Sequence, residues 1–346
     1  MTGRYRRIAL LVLSLLALLA AAALWRCTRR GVVGGAAGGL RQTGFGLMST
    51  SAELVFAADD RAPFTAARDA MLEVEKTCNV FDPASELSQL NASAAEKPFV
   101  CSPMLYGILS EAREAWSFSE GRFDVTSGPL MRLWGFYRKS GAPQLPDDKE
   151  LVAASTLVGL EKVVFNDAER SVYFTVPGMS IDLGGIAKGY AADLAAARAA
   201  AAGAGRGAVN LGGNIRLLDG GAAEEWPVAI RDPMNRDAVC EEFILRRGAV
   251  STSGNYERYV VIDGKRYTHI MNPVTARPVD NVLAVTVTAA TAQRADWLST
   301  SLFIGGEKLA EKAAAVYPDV RIWLFLPSAD GTGYTVRRFS GAAADK

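Results

Sequence analysis

Histidine is almost absent from this sequence, which contains one, His269, among 346 residues. The ordinary pKa of histidine lies close to physiological pH, so proton transfer by an imidazole would have this one candidate. His269 follows Tyr267-Thr268 in a segment with the alternation of a strand. A lone histidine beside a strand is typical of a structural hydrogen-bonding residue, and its spacing alone favours that interpretation over a catalytic one.

Clustered charge and paired cysteines are also missing. The formal net charge is +1, and the arginines and lysines form no stripe outside the N-terminus, so no strong field favours nucleic acid or an acidic partner. The absence of Cys-x-x-Cys spacing argues against a zinc site and against a thioredoxin-like redox motif. A Cys78–Cys101 disulfide stays open for an oxidising compartment. The cysteines are Cys27, Cys78, Cys101 and Cys240.

The common nucleotide-binding signatures are absent as well. Gly203-Ala204-Gly205-Arg206-Gly207 follows a predicted helix, whereas the glycines of a dinucleotide site follow a strand and open a helix. Gly264-Lys265 is followed by Arg266 and lacks the upstream glycine of a P-loop. Any cofactor must therefore be bound by another scheme.

The N-terminus carries the clearest compositional signal. Three arginines precede an uncharged run from Ile8 to Trp25, and three follow it. A basic segment before an apolar run is typical of a signal sequence, and this run is about as long as a membrane-spanning helix. We expect an uncleaved membrane anchor in residues 1–30 and a Gly-rich linker in residues 31–40, with the bulk of the chain outside the cytoplasm. Cleavage at Ala21-Ala22-Ala23 and lipidation of Cys27 are the alternatives.

Helical and strand patterns are mixed without regular βαβ alternation, which predicts an α+β fold in one domain over residues 41–340. Asp263-Gly264, between two alternating runs, predicts a two-residue hairpin turn. A strand is predicted over Ala208–Leu218, where Gly212-Gly213 indicates a bulge or the close approach of a ligand. The predicted helices include Phe64–Val80, Met104–Phe118, Ile186–Ala202, Thr291–Ile304 and Glu307–Tyr317.

Asp182–Tyr190 combines a strand end, two glycines and the start of a helix. Free backbone N–H groups at a helix N-terminus bind anions, and Lys188 adds a mobile positive charge. A tight strand-to-helix turn with a solvated lysine explains the same residues, so this motif alone leaves both interpretations open.

Asp296 and Thr300 lie four residues apart on a predicted helix, so their side-chain oxygens share one face. A carboxylate and a hydroxyl are hard oxygen donors of the kind that Mg²⁺ uses. A surface aspartate with a threonine nearby has the same spacing, and spacing alone favours that simpler interpretation. Asp124, ahead of another predicted helix, can likewise cap the helix or hydrogen-bond a ligand, and in isolation the cap is favoured.

Taken together and in order, these segments resemble the ApbE family, the FAD:protein FMN transferases. The resemblance runs from about Gly46 to about Gly306. Each motif is short, but their number and order make coincidence improbable. The segments are Met48–Thr50, Phe81–Asn91, Phe123–Thr126 with Trp134–Phe136, Asp182–Asp193, Asn210–Ile215, Arg231–Pro233, Thr252–Tyr256, Tyr267–Pro278, and Ala295-Asp296 with Thr300.

The resemblance implies a single mixed α/β domain of the ApbE, T-fold-like type. The implied enzyme splits the diphosphate of FAD and moves FMN onto a threonine of another protein, with release of AMP. Mg²⁺ would be held by Asp296, Thr300 and the backbone carbonyl of Ala187, and His269 would be the base that activates the threonine. The expected acceptor is an electron-transfer subunit, and the anchored chain itself is expected on the periplasmic side of the inner membrane. The implied FAD contacts are Met48, Phe81, Asp82, Ser85, Asp124, Lys188 and Ile270.

The sequence departs from the family pattern at a few positions. Asn272, Val274 and Ala276, after His269, replace an aspartate, an arginine and a glycine, and Ser49 replaces a glycine near the expected FAD site. Two further functions therefore stay open. One is a Mg²⁺-dependent FAD pyrophosphatase that releases FMN and AMP, and the other is a non-catalytic FAD-binding protein.

Overall fold

The computed structural model describes residues 40–58, 61–137, 143–218 and 225–344. The predicted anchor at residues 1–30 lies outside these ranges, as does most of the predicted linker. No helix within them combines the length and the apolar character needed to cross a membrane.

Helices and strands are interspersed along the described chain, as the mixed pattern predicts. The α-helices are α1 (Ala62–Cys78), α2 (Glu86–Ser93), α3 (Pro103–Phe118), α4 (Gly128–Leu133), α5 (Asp148–Ser155), α6 (Ala187–Ala201) and α7 (Ala292–Val316), with a 3₁₀ helix at Leu160–Lys162. The first strands are β1 (Leu40–Leu47), β2 (Thr50–Ala57), β3 (Phe99–Val100), β4 (Val163–Asn166), β5 (Ser171–Phe174), β6 (Arg206–Leu211), β7 (Asn214–Leu217), β8 (Trp226–Arg231) and β9 (Val239–Leu245). The others are β10 (Ala249–Gly254), β11 (Tyr259–Ile262), β12 (Lys265–Thr268), β13 (Met271–Asn272), β14 (Arg277–Pro278), β15 (Ala284–Ala289), β16 (Arg321–Pro327) and β17 (Tyr334–Ser340).

An eight-stranded sheet forms the centre of the fold, in the order β1-β2-β6-β7-β10-β15-β16-β17. Every neighbouring pair is antiparallel. Leu54 and Phe56 of β2 belong to the large core under the helices, whereas Val55 packs with Trp226 and Val228 on the opposite face. Successive side chains of a strand point to opposite faces, so the sheet is covered by helices on one side and by the β8–β9 ribbon on the other.

Helix α6 lies in the middle of the helical layer, in contact with both α1 and α7. Its buried face consists of alanine and glycine, including Ala191, Ala192, Ala195 and Ala199. Because these side chains are small, the neighbouring helices approach α6 closely. This packing fixes the start of α6 against the first turns of α7, where the functional side chains lie.

One predicted strand needs correction. The strand predicted over Ala208–Leu218 is a hairpin, because Gly212-Gly213 forms the turn between β6 and β7 with φ values of 58° and 87°. The two helices predicted on either side of residue 305 are confirmed as the two halves of α7, which are separated by a break at Gly306, where φ is 66° and ψ is −155°. The Asp263-Gly264 hairpin is confirmed as well, between β11 and β12.

Cys78 and Cys101 are both free thiols in this structure, so the disulfide left open by the sequence is not formed. Both side chains are buried in the large core. Burial disfavours the thiolate and raises the pKa of each thiol to about 12. Neither cysteine is therefore a reactive nucleophile.

Candidate functional site

One cleft brings together six of the residues predicted from the sequence. It opens where the N-terminus of α6, the first turns of α7 and the segment after β12 meet. The six are Asp124, Lys188, His269, Ile270, Asp296 and Thr300. They come from positions as far apart as 124 and 300, so the sheet and the helix layer, rather than sequence proximity, assemble this site.

Asp296 is a carboxylate almost fully removed from water, with 2% of its surface exposed. Its Oδ2 accepts a hydrogen bond from the backbone N–H of Gly189 at 2.9 Å, and its Oδ1 lies 3.7 Å from the Lys188 ammonium. Burial raises the pKa of Asp296, while Lys188 and Gly189 oppose that rise. A buried carboxylate that is only partly compensated favours a further cation beside it.

Gly189 permits the contact that places Lys188 beside Asp296. A Cβ atom on Gly189 would lie 2.3 Å from the backbone oxygen of Ala292, so a larger residue would push α6 and α7 apart. Lys188 also donates to the Gly184 backbone oxygen at 2.8 Å. The glycine turn and the first turn of α6 therefore act as a unit that presents one ammonium group to the cleft.

Thr300 follows Asp296 by one helical turn, as its spacing predicts. Its Oγ1 lies 3.3 Å from Ser253 Oγ, and Gly185 lies close against it, since a Cβ there would be 3.3 Å from the hydroxyl. Ala187 is buried at the first position of α6, two residues before Gly189. Carboxylate, hydroxyl and backbone carbonyl are hard oxygen donors, so the donor set fits Mg²⁺. The described residues contain no group of three or more His, Cys, Asp or Glu side chains arranged to hold a metal ion.

His269 lies between β12 and β13, half-buried in the cleft wall. Its backbone N–H and its ring Nδ1 both face the backbone oxygen of Arg258, at 3.1 Å and 3.0 Å. A carbonyl oxygen can only accept, so Nδ1 carries the proton and Nε2 keeps a free electron pair. Burial, with the nearby Lys188 charge, lowers the pKa of His269 to about 4. The imidazole is therefore neutral at physiological pH, in the form that can accept a proton.

Phe81 does not line the cleft itself but packs against Arg258, which does, and 38% of its surface is exposed. Its ring packs edge-on against Tyr137 at 5.3 Å between centroids, and the Arg258 guanidinium lies 5.7 Å from the Phe81 ring. The Tyr137 hydroxyl donates to the carboxylate of Asp182, whose other oxygen accepts from the Gly184 backbone N–H at 2.7 Å. Aromatic and guanidinium groups beside the cleft provide flat surfaces for a ring system.

Asp124 lies in the cleft wall, but both of its carboxylate oxygens accept hydrogen bonds from groups of the protein itself. Its Oδ1 accepts from the backbone and hydroxyl of Thr126 at 2.8 Å and 2.5 Å. Its Oδ2 accepts from Trp116 Nε1 at 3.1 Å and from the Leu160 backbone at 3.0 Å. The helix-cap interpretation is wrong, because Ser127 occupies the cap position of α4. Asp124 instead fastens the loop before α4 to α3 and to the 3₁₀ helix.

Ser85 and Asp82 do not line the cleft. Ser85 is fully buried and caps α2: its hydroxyl donates to the Asn79 backbone oxygen at 2.7 Å and accepts from the Ser88 backbone at 3.0 Å. Asp82 Oδ1 accepts from the backbone N–H of Ala84 at 2.9 Å. These bonds shape the loop that carries Phe81, and a contact of either side chain with FAD stays a prediction.

Met48 lies in the turn between β1 and β2, outside the residues that line the cleft. Its backbone N–H donates to Glu75 Oε1 at 2.8 Å, and its φ is 49°. The next residue, Ser49, has a φ of 59°, and Ala276 has a φ of 55°. Glycine adopts this left-handed conformation without strain, which explains why the family pattern has glycine where this chain has Ser49 and Ala276.

Some residues of the cleft escaped the sequence reasoning. Arg258 and Glu257 both line it, and burial raises the pKa of Glu257 to about 7, against the opposing charge of Lys188. Ser251 and Ser253 alternate along β10, so both point towards α7, where they meet Ser299. The run Ser251-Thr252-Ser253 was the available signal, because hydroxyl residues two apart share one face of a strand.

Comparisons with known proteins identify the family of this chain. The model of the ApbE family matches residues 48–323. The chain is 34% identical over 266 residues to the FAD:protein FMN transferase of Vibrio cholerae serotype O1 (strain ATCC 39541 / Classical Ogawa 395 / O395), covering 75% of this chain and 78% of that protein. Its fold is similar to the crystal structure of the ApbE protein of Thermotoga maritima, with a TM-score of 0.80 and 30% identity over 87% of this chain and 97% of that one.

A second solved structure, the flavin transferase ApbE from Vibrio cholerae, gives a TM-score of 0.74 at 27% identity, covering 88% of this chain and 98% of that one. The family match spans most of the described residues, including every predicted site residue. The chain therefore belongs to the ApbE family.

Proposed function

We propose that this protein transfers the FMN half of FAD to a threonine hydroxyl of a target protein, with Mg²⁺ bound, and releases AMP. The observation that carries the proposal is the meeting of a neutral His269 with Lys188, Asp296 and Thr300 in one cleft. The relatives that carry the name FAD:protein FMN transferase support the choice of FAD and of a protein acceptor.

Charge neutralisation and alignment are the main requirements of phosphoryl transfer. Asp296, Thr300 and the Ala187 carbonyl would hold Mg²⁺, which when bound offsets the negative charge of the diphosphate. Lys188 is placed to offset charge on the same group, since its ammonium already lies 3.7 Å from the Asp296 carboxylate. A cation held by Asp296 would leave the Lys188 ammonium available to contact the diphosphate.

His269 supplies the base. Its protonated Nδ1 is held by the Arg258 carbonyl, so Nε2 accepts the proton of the incoming threonine hydroxyl. The threonine oxygen then forms a bond to the FMN phosphorus while the bond from that phosphorus to the bridging oxygen breaks. AMP leaves with the bridging oxygen, and the proton resides on His269 until it is lost to solvent.

The departures from the family pattern leave the turn after His269 intact. Asn272 Oδ1 accepts from the Val274 backbone N–H at 3.0 Å and from that of Thr275 at 3.4 Å, which is the bonding that an aspartate would also provide. Val274 is 75% exposed, so its change from a charged residue alters the surface rather than the fold of the turn. These departures therefore give no structural reason to prefer simple binding of FAD, and the names of the relatives favour transfer over hydrolysis.

We further propose that the chain is held at the membrane by residues 1–30, with its cleft on the periplasmic side. The support is the uncharged run between two arginine groups. A flavin acceptor on the same side, such as an electron-transfer subunit, would then meet the cleft. Protease added to intact spheroplasts should degrade the protein, and protection until the cells are lysed would exclude this placement.

The proposed reaction is tested with purified full-length protein, FAD, Mg²⁺ and a flavoprotein acceptor. Transfer gives an acceptor band that is fluorescent because flavin is covalently attached, and it gives AMP in an amount equal to the attached flavin. Both products are lost when the acceptor threonine is replaced by valine. Free FMN as the dominant product in the presence of acceptor would show a pyrophosphatase instead. FAD retained one to one, with no AMP formed, would show a binding protein.

A further inference from the structure

A chain of buried hydroxyl groups runs behind Thr300. Ser253 Oγ lies 3.3 Å from Thr300 Oγ1 and 2.8 Å from Ser299 Oγ, which in turn lies 3.2 Å from Ser251 Oγ. The three serines are between 0% and 9% exposed. A buried hydroxyl has one proton to donate and needs an acceptor for it, so the order of donors along this chain is constrained.

Asn214 fixes the far end of the chain. Its side-chain nitrogen lies 3.4 Å from the Leu211 backbone oxygen, and its hydrogen bond to the Asp296 carboxylate opposes the rise in the pKa of that group. Both partners only accept, so the amide nitrogen faces them and Oδ1 faces Ser251. Ser251 therefore gives its proton to Asn214 Oδ1, at 2.7 Å.

The remaining directions follow from the Asp296 backbone oxygen, which can only accept. Ser299 Oγ donates to this oxygen at 2.9 Å. Because Ser299 has one hydroxyl proton, that proton points away from Ser253. Ser253 must then donate to Ser299, and Thr300 donates to Ser253.

We infer that this hydroxyl chain makes Thr300 a hydrogen-bond donor towards Ser253, so that the electron pairs of its Oγ1 face the cleft as a ligand for a divalent cation. Ser253 and Ser299 are positioning residues, because they act through Thr300. A threonine free to rotate could instead turn its proton towards the cation and repel it. The inference rests on the proposed function for the identity of the cation as Mg²⁺.

The test measures cation binding rather than catalysis. Mn²⁺, which also takes oxygen ligands and is visible by electron paramagnetic resonance, is titrated into the full-length protein without flavin. Ser253→Ala and Ser299→Ala should each weaken Mn²⁺ binding by about 10–100-fold, the range typical of groups that orient a metal ligand. Ser301→Ala is the matched control, because Ser301 is fully buried on α7 and donates to the Trp297 backbone oxygen at 2.7 Å, outside the chain.

The thermal unfolding of the three variants is first followed by circular dichroism. The titration is then done at a temperature at which all three are folded. Wild-type Mn²⁺ affinity in both Ser253→Ala and Ser299→Ala overturns the inference, and so does equal weakening by Ser301→Ala. FMN transfer by the wild-type protein is scored separately. If the wild-type protein binds Mn²⁺ but transfers no FMN, the proposed function is overturned. The inference about the hydroxyl chain is then still supported by the Mn²⁺ affinities of the variants.

Discussion

The backbone N–H of Gly189 donates a 2.9 Å hydrogen bond to the carboxylate of Asp296, a residue 107 positions later. This bond joins the first turn of α6 to the first turns of α7. It forms because the two helices touch at Gly189, where the Ala292 backbone oxygen leaves no room for a Cβ. The cation site and the lysine that faces the diphosphate are thus positioned by one helix contact.

Gly189→Ala should both destabilise the protein and impair the site. Forcing a methyl group against the Ala292 backbone costs at least about 1–3 kcal/mol of unfolding free energy, as overpacking typically does. Gly107→Ala in α3 is the control, because nothing lies within 4 Å of a Cβ there. That variant should be stabilised by roughly 0.4–1 kcal/mol through loss of unfolded-chain entropy. Urea unfolding measures both, and a stable, active Gly189→Ala protein would contradict the close contact.

His269→Ala should reduce FMN transfer by about 10²–10⁴-fold, the usual contribution of a general base. FAD binding, measured by quenching of flavin fluorescence, should stay near the wild-type value. Thr275→Ala, in the exposed turn of the same segment, should change neither quantity. Full transfer activity in His269→Ala would return this histidine to a structural role.

The rate of FMN transfer should stay constant as the pH is lowered from 8 to well below 6.5. The pKa of His269 is lowered to about 4 from an ordinary value of 6.5, so the imidazole remains neutral and able to accept a proton between those values. Initial rates measured from pH 8 down to pH 4 should therefore fall only near the lower end. An acid limb centred near pH 6.5 would mean that His269 has an unperturbed pKa or is not the base.

The same lowered pKa makes stability depend on pH. Between pH 6.5 and about 4 the unfolded chain binds a proton at His269 that the folded protein does not, so stability falls as the pH is lowered through this window. His269→Asn should remove this part of the pH dependence. Urea unfolding of both proteins at several pH values measures the difference. If the unfolding free energies of the two proteins change equally with pH, the pKa of His269 is not lowered in the folded protein.

Ser49→Gly should stabilise the protein. A non-glycine residue in the left-handed region costs roughly 1–2 kcal/mol, and glycine recovers part of it, giving a net gain of about 0.5–1 kcal/mol. Ser49 is exposed at a φ of 59°, so little packing is lost. Ala276→Gly offers the contrast, because Ala276 is 4% exposed and the loss of a buried methyl, about 0.8 kcal/mol, offsets the relief. Thermal unfolding measures both variants. Equal increases in melting temperature for the two variants, or a decrease for Ser49→Gly, would refute this explanation of the missing glycines.

Local sequence patterns predicted much of the fold. The helical spacing of apolar residues located α1, α3 and α6, and Asp263-Gly264 located a hairpin, because each signal depends on neighbours within a turn or two. Gly212-Gly213 was misassigned to a strand interior, since a glycine pair is compatible with both a bulge and a tight turn. Which of these forms is decided by the pairing of β7 with β10, a contact distant in sequence.

The sequence by itself determined the residue types of the site: one imidazole, a helical Asp296–Thr300 pair and a lysine after a glycine turn. Their chemistry is a property of the side chains, so it could be inferred without coordinates. Only the tertiary structure decided what surrounds them. The Arg258 carbonyl that fixes the tautomer of His269, the Gly189 contact that buries Asp296 and the serines behind Thr300 all come from other elements. Burial and proton direction depend on such neighbours, and a neighbour in space leaves no periodic signal in the chain.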